Sequence, residues 1–288
     1  MTVLVIGATG LVGGEVARLL ARRGVSVRAL ARDPGRAAPL AALGIGIVAG
    51  DLGAPESLAR ACAGVERVFL ASALDPRQVE LQGNAVEAAR RAGVRHVVKL
   101  SGLATAPESS VASGRWHAQT ERQIEASGMG WTHLRPLFFF QNLLRAAPHV
   151  AGSGVLPDTT GDAPIAGVDA RDVAACAAAA LATDAHLGCA YQLTASEAFS
   201  YSELADRLSR LLGRAIRTLE ITPEVARARM IADGMPAWHA DVLADFAACF
   251  ARGGGARVSD AVLRLSGHTP RSIGGFLDEH AAAFGAAR

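Results

Sequence analysis

The sequence predicts an α/β protein: a doubly wound parallel sheet followed by a smaller, mostly helical C-terminal part. Two observations carry this. Short apolar runs alternate strictly with amphipathic helical stretches through the first half of the chain, as in a parallel sheet covered on both faces. The first run, Val3-Leu4-Val5-Ile6, meets Gly7, Gly10 and Gly13 at three-residue spacing, and an amphipathic stretch follows at once. That is a strand, a tight glycine turn and a helix start.

Each glycine has a separate task. Gly7 allows the sharp turn, Gly10 lets backbone approach a pyrophosphate without a Cβ in the way, and Gly13 permits close helix–strand packing. Around Thr9, Leu11 and Val12 the helix start offers free N–H groups and a positive dipole end to phosphates. The motif in this context predicts dinucleotide binding. The second strand, 25–32, ends in Ala31 and Arg32, where NAD sites place a carboxylate for the ribose hydroxyls. Without that carboxylate a 2′-phosphate is not repelled, and a guanidinium can pair with it bidentately. NADP(H) is therefore favoured over NAD(H). Arg28 and Arg36 read as solvated surface arginines. Asp33 stands one step further on.

The alternation continues with a helix at 36–43, a strand at 45–49 and a helix at 55–63 that has Pro55 near its first turn. A strand at 67–71 precedes a helix at 79–92, stopped by Gly93. A strand at 95–100, a helix at 116–126 and a strand at 131–135 ended by Pro136 complete the series. Right-handed crossovers then give the doubly wound order. Beyond Pro136 the spacing predicts an aromatic helix at 138–144, a loop at 152–164 and a helix at 172–183. A late strand at about 189–194 returns to the main sheet. Helices at 201–212, 223–233 and 236–251 follow, with further ordered stretches at 259–265 and 270–284. The domain reading is 1–150 for the dinucleotide and 151–288 for the substrate.

Of the 288 residues, half are hydrophobic, enough for a sizeable core, and the net charge is +2 with acids and bases mixed. Nothing points to nucleic acid. The four cysteines are far apart and form no C-x-x-C pair, as in a reducing cytosol. The first residues enter a core strand, which leaves no room for a signal peptide. The longest alanine-rich run is too short to span a bilayer. The expectation is a cytoplasmic protein without a membrane partner. Metal spacing, H-E-x-x-H and G-x-S-x-G are absent from the sequence, so no metal is expected.

Further pieces join the glycine motif: Gly50-Asp51-Leu52, Val98-Lys99-Leu100-Ser101, Trp116-His117-x-x-x-Glu121, Ser127-Gly128-x-x-Trp131-Thr132-x-Leu134-Arg135-Pro136, Phe139-Phe140-Gln141-Asn142 and Asp169-x-x-Asp172-Val173-Ala174. In the tail stand Gly213-Arg214, Gly234-Met235-Pro236-x-Trp238 and Pro270-Arg271-Ser272. In order and spacing the chain resembles the NmrA-like branch of the atypical short-chain dehydrogenase/reductases. The resemblance implies a Rossmann-type domain and a nicotinamide cofactor. That branch holds NAD(P)H-dependent quinone reductases and isoflavone-reductase-like enzymes. It also holds regulators that bind the dinucleotide and catalyse nothing. By the same resemblance Asp51 and Leu52 contact the adenine.

Full short-chain dehydrogenases use a Tyr-x-x-x-Lys pair as proton shuttle. Counting back from Glu121 puts His117 at the lysine position and Ser113 at the tyrosine position. This departure argues against alcohol oxidation and sugar epimerisation. Hydride transfer itself needs only a well-oriented nicotinamide and a dry site, which suits quinones, enones and iminium ions. His117 is a candidate acid, with Glu121 one turn on to orient it. The other reading has His117 bonding the ribose or backing the pocket. Ala71, Ser72 and Ala73 follow the fourth strand, beside the expected central ribose. Lys99 either reaches the cofactor or snorkels to the sheet end. Pro136 and Phe138 should meet the nicotinamide. Phe138, Phe139 and Phe140 either wall an apolar pocket or form a plain core cluster. Asn142, Trp116 and Trp238 are further substrate candidates. The reading is an NADPH-dependent reductase of a small apolar electrophile. The alternative is a catalytically silent NADP(H) sensor with a protein partner.

Overall fold

The computed structural model describes residues 1–286. In chain order the elements are β1 (Thr2–Ile6), α1 (Leu11–Arg22), β2 (Ser26–Ala31), α2 (Ala38–Ala41), β3 (Gly46–Ala49), α3 (Pro55–Cys62), β4 (Arg67–Leu70), α4 (Gln78–Arg91), β5 (His96–Leu100), α5 (Ala112–Glu125) and β6 (Gly130–Pro136). There follow β7 (Phe138–Phe139), α6 (Ala147–Ser153), β8 (Val155–Asp158), β9 (Gly167–Val168), α7 (Ala170–Ala182), β10 (Cys189–Leu193), α8 (Tyr201–Leu212), β11 (Arg217–Glu220), α9 (Pro223–Ala232), α10 (Ala237–Ala251), α11 (Ala261–Ser266) and α12 (Ile273–Glu279).

Seven strands form one sheet in the order β10-β6-β5-β4-β1-β2-β3. The pairings of β1 with β2 and β4, of β2 with β3, of β4 with β5 and of β5 with β6 are all parallel. The order reverses between β1 and β4, the switch point where ligands bind in such sheets. Strand alternation explains the two covered faces. Leu4 and Ile6 join a buried cluster with Leu58 and Ala61 of α3, Val86 and Ala89 of α4 and Ile124 of α5. Val3 and Val5 are equally buried and point to the other face, where α1 lies against α7. Among the described residues no helix is long and apolar enough to cross a membrane.

The chain divides into two compact units. One comprises Met1–Pro107, Arg115–Arg135 and Ala170–Tyr191; the other comprises Glu108–Gly114, Pro136–Asp169 and the residues from Gln192 onward. Both are discontinuous, unlike the single boundary at 150 that the sequence suggests, because α7 returns to pack on α1. The late strand is present as β10, beside β6. The second unit holds two small parallel pairs, β8 with β11 and β7 with β9. Its core gathers Phe140, Phe199, Leu204, Leu208, Phe276 and Phe284.

Three expectations need correction. The stretch 138–144 is the short β7 followed by a 3-10 helix, Phe140–Arg145. The stretch 152–164 is not all loop: α6 ends at Ser153, Gly154 turns with φ +67°, and β8 follows. Only pairing with distant β11 makes those four residues a strand. Helix α5 begins at Ala112, four residues before the expected start.

Candidate functional site

The glycine turn has the geometry its spacing demands. Gly7 sits at φ +81°, and a Cβ there would lie 2.7 Å from the Ala71 carbonyl oxygen. A Cβ on Gly13 would lie 2.3 Å from the Gly7 carbonyl oxygen, so only glycine lets the helix approach the turn this closely. The Gly10 N–H donates to Gly7 O at 2.9 Å. Gly10 caps α1 with extended backbone and no side-chain bond, and the first turn carries no acid. The first N–H groups of a helix have no intrahelical partner. Thr9, Gly10 and Leu11 are exposed, and Val12 is buried behind them. The uncapped helix end suits an anion.

At the ends of β2 and β3, the Arg32 side chain is 78% exposed and its Nε lies 4.0 Å from the Asp51 carboxylate. Asp51 also accepts from the Gly53 N–H at 2.6 Å. Leu52 packs on the core cluster, and its carbonyl accepts from Asn84 at 2.9 Å. Arg28 is not a free surface arginine: it donates to the carbonyls of Ala61 at 2.5 Å and Ala63 at 2.9 Å, tethering the end of α3. Beyond β4, Ala71 is buried, Ser72 half-buried and Ala73 exposed. Buried Gln82 donates to the Ser72 hydroxyl at 2.8 Å.

Where β5, β6, α4 and α5 meet stands a polar cluster that the sequence did not assemble. Lys99 is fully buried. Its Nζ donates to the Leu100 carbonyl at 3.2 Å, to Ser101 Oγ at 3.0 Å and to His117 Nδ1 at 2.8 Å. Gln78 Nε2 lies 3.1 Å from the same Nδ1. Glu121 does not orient His117. It accepts from Ser101 Oγ at 2.5 Å and from Arg135 through both oxygens. Register explains the assembly: Lys99 of β5 lies opposite His133 of β6, and α5 supplies His117 and Glu121 from one face. Lys99 therefore does not snorkel out of the sheet; it is held inward by three acceptors. Gln78, Ser101 and Arg135 had no assigned role in the sequence. The available signal was that β5, followed by Ser101, and β6, with Arg135 next to its last residue, are neighbours in a doubly wound sheet.

Burial pushes Lys99 down to about 7, with Glu121 opposing the shift and Arg135 reinforcing it. Burial, then Lys99 and Arg135, hold His117 well below the ordinary imidazole value. It is therefore neutral near pH 7 and no imidazolium donor in its resting state. Because a protonated Lys99 can only donate, Nδ1 is the acceptor and Nε2 carries the ring proton. Burial acts to raise Glu121, but its bond to Arg135, the nearby His133 and the bond from Ser101 bring it below the usual carboxylate value. Glu121, Glu125 and His133 have donor atoms within 4.8 Å of one another, yet the Arg135 guanidinium on Glu121 already supplies the cation.

In the second unit Pro136 is buried and Phe139 half-buried, while Asn142 is exposed. Half-buried Phe138 meets Phe199 and Phe250 edge-on at 6.5 and 6.0 Å. Phe140 is a correction to the pocket-wall reading: it is fully buried between Phe199 and Phe276 and belongs to the core. Trp238 is half-buried and stacks on His239. Trp116, in the first unit, is half-buried on α5.

The model of the NmrA-like family matches residues 1–263. An NAD(P)H azoreductase from Xenophilus azovorans is 40% identical over 285 residues, covering 99% of this chain and all of the relative. A (4-alkanoyl-5-oxo-2,5-dihydrofuran-3-yl)methyl phosphate reductase from Streptomyces griseus is 40% identical over 283 residues, 98% of this chain and 99% of the relative. The crystal structure of an NADPH-dependent quinone oxidoreductase from Escherichia coli, complexed with NADPH, superposes with a TM-score of 0.90. That structure is 29% identical, with 98% of this chain and 100% of that chain covered.

Proposed function

This chain belongs to the NmrA-like family, and on that premise we propose that it uses NADPH to reduce a small, mostly apolar electrophile such as a quinone, an enone, an imine or an azo compound. The protein is an NAD(P)H-dependent oxidoreductase of Rossmann-type fold. The observation that carries the substrate reading is end-to-end similarity to an azoreductase, 40% identity with no part of either chain left over beyond a few residues.

The residues present fit the cofactor. Gly7 and Gly13 sit where a Cβ would collide with backbone, and the bare N-terminus of α1 offers Leu11 and Val12 N–H groups to a pyrophosphate. Arg32 would hold a 2′-phosphate, since β2 ends without the carboxylate that would repel one. Asp51, Leu52, Ala71, Ser72 and Ala73 line the ends of the neighbouring strands and would take the adenosine and ribose. Pro136 and Phe138 are proposed for the nicotinamide end, and Trp116, Phe139, Asn142 and Trp238 for substrate. The reduced nicotinamide, when bound, supplies the hydride. The chain supplies orientation, an apolar surround and control of the accompanying proton. With no Tyr-x-x-x-Lys pair, neutral His117, presenting Nε2–H, is proposed as the proton-bearing group.

The test is a titration with NADPH and NADH, followed by NADPH oxidation with quinones, enones, imines and azo dyes. Tighter binding of NADPH and turnover of at least one class is the expected result. Tight binding without turnover across the panel overturns the reductase reading and leaves a silent dinucleotide sensor.

A further inference from the structure

We propose that Lys99 is the proton reservoir of a relay through His117: it delivers a proton to Nδ1 while Nε2 gives one to the reduced substrate. The inference rests on the reductase reading and deepens it. Its basis is geometric. The Lys99 ammonium meets His117 Nδ1 at 2.8 Å. It is buried, so water does not reach it directly. On the opposite edge of the ring, Nε2 has no protein partner among the described residues, and a Cβ on Gly102 would lie only 3.3 Å from it. Gly102 thus keeps that edge clear. An imidazole bonded on one nitrogen and open on the other is a two-ended proton conductor.

The groups around the pair tune it. From α5 come His117 itself and Glu121; from β6 come Arg135 and His133; from α4 comes the uncharged Gln78. Glu121 is committed to Arg135 and Ser101, so it does not take the Lys99 proton. Lys99, held at about 7, gives up a proton readily near neutrality. His117, held well below 6.5, does not keep it. The proton therefore passes through the ring rather than resting on it.

The balance is simple. A quinone that gains a hydride from the bound nicotinamide carries one negative charge. One proton from Nε2 completes the hydroquinone, the Nδ1 position takes its replacement from Lys99, and Lys99 becomes the neutral amine. After product leaves, water returns a proton by the same path in reverse. A cationic acceptor such as a triarylmethane dye needs the hydride alone and draws nothing from the relay.

This difference supplies the test. Lys99→Met removes the proton, and Lys99→Arg keeps the charge but does not release a proton near neutrality. Both are compared with the unaltered protein using a quinone and a cationic triarylmethane dye, from pH 5.5 to 8.5. General acid–base assistance is typically worth a hundredfold or more. In both variants the ratio of quinone to dye turnover should fall by at least about tenfold. The fall of quinone kcat above about pH 7, expected of the unaltered protein, should disappear. A readout without cofactor is the ¹⁵N spectrum of the His117 ring. It should show the Nε2–H tautomer, with an Nδ1 shift that titrates near pH 7 and ceases to do so in Lys99→Met. Equal losses with both acceptors, or an Nδ1 shift that does not move near pH 7 in the unaltered protein, would overturn the relay. If the unaltered protein turns over the dye but shows no alkaline fall with quinone, the relay fails while the reductase reading survives. Absence of turnover with either acceptor defeats both.

Discussion

At the scale of single residues, the proposed choice of NADPH rests on Arg32. It is exposed, and its neighbour Asp51 at 4.0 Å is too loosely paired to hold it, since exposed ion pairs of this kind contribute little. The guanidinium is thus free to turn toward a 2′-phosphate. Arg32→Ala should weaken NADPH binding roughly ten- to a hundredfold, the value of one charge-assisted pair, and change NADH binding little. Paired fluorescence titrations measure both. Equal weakening of the two cofactors would refute the assignment. Arg32 was legible because its place at the end of the second strand follows from local sequence alone. Lys99 was not, because its partners lie at 101 and 117 and meet it only after β5 and α5 have packed.

At the scale of elements, the sequence is most informative where a terminus carries its own signal. Helix α8 spans Tyr201–Leu212 as expected, because Ser200 and Glu203 form a reciprocal capping box and Gly213 closes the other end in the left-handed region. Ser200→Ala should cost about 0.5–2 kcal/mol of stability, read as a lowered urea midpoint of the intact chain. No change would mean that packing of Leu204 and Leu208 alone fixes the start of the helix. Where such signals are missing, reading fails. β8 contains Pro157 and four residues in all, and it is a strand only because β11 pairs with it from 62 positions on in the register. The beginning of α5 was likewise obscured, since Ser113 and Gly114 behind Ala112 are weak helix formers that local sequence does not place.

At the scale of the whole molecule, buried histidines make stability depend on pH. His96 is buried between Arg67 and the Thr132 hydroxyl. Thr132 donates its only proton to the His186 carbonyl, so His96 must offer Nε2–H and accept at Nδ1, the neutral form. Burial and then Arg67 lower it to about 4, and burial lowers His133 to about 4. Unfolded, both return to the ordinary value near 6.5. Between about pH 6.5 and 4 the unfolded chain therefore binds more protons, and stability falls as pH falls, by up to about 1.4 kcal/mol per pH unit for each histidine. Urea midpoints across that range should fall steeply in the unaltered protein and less steeply in His96→Gln. A flat profile would show that these rings are not buried in the neutral form.

What the sequence determined by itself is the alternation of strands and helices through β6, the parallel sheet and the glycine turn. Each of these is set by contacts within a few residues, or by a repeating apolar pattern that one strand or helix must bury. Tertiary structure alone decided that Phe140 fills a core rather than walls a pocket, that α7 packs back on α1, and that Lys99, not Glu121, faces His117. The reason is physical: burial and hydrogen-bond partnership depend on what the rest of the chain brings alongside. A buried ammonium is bearable only where acceptors from distant segments converge on it.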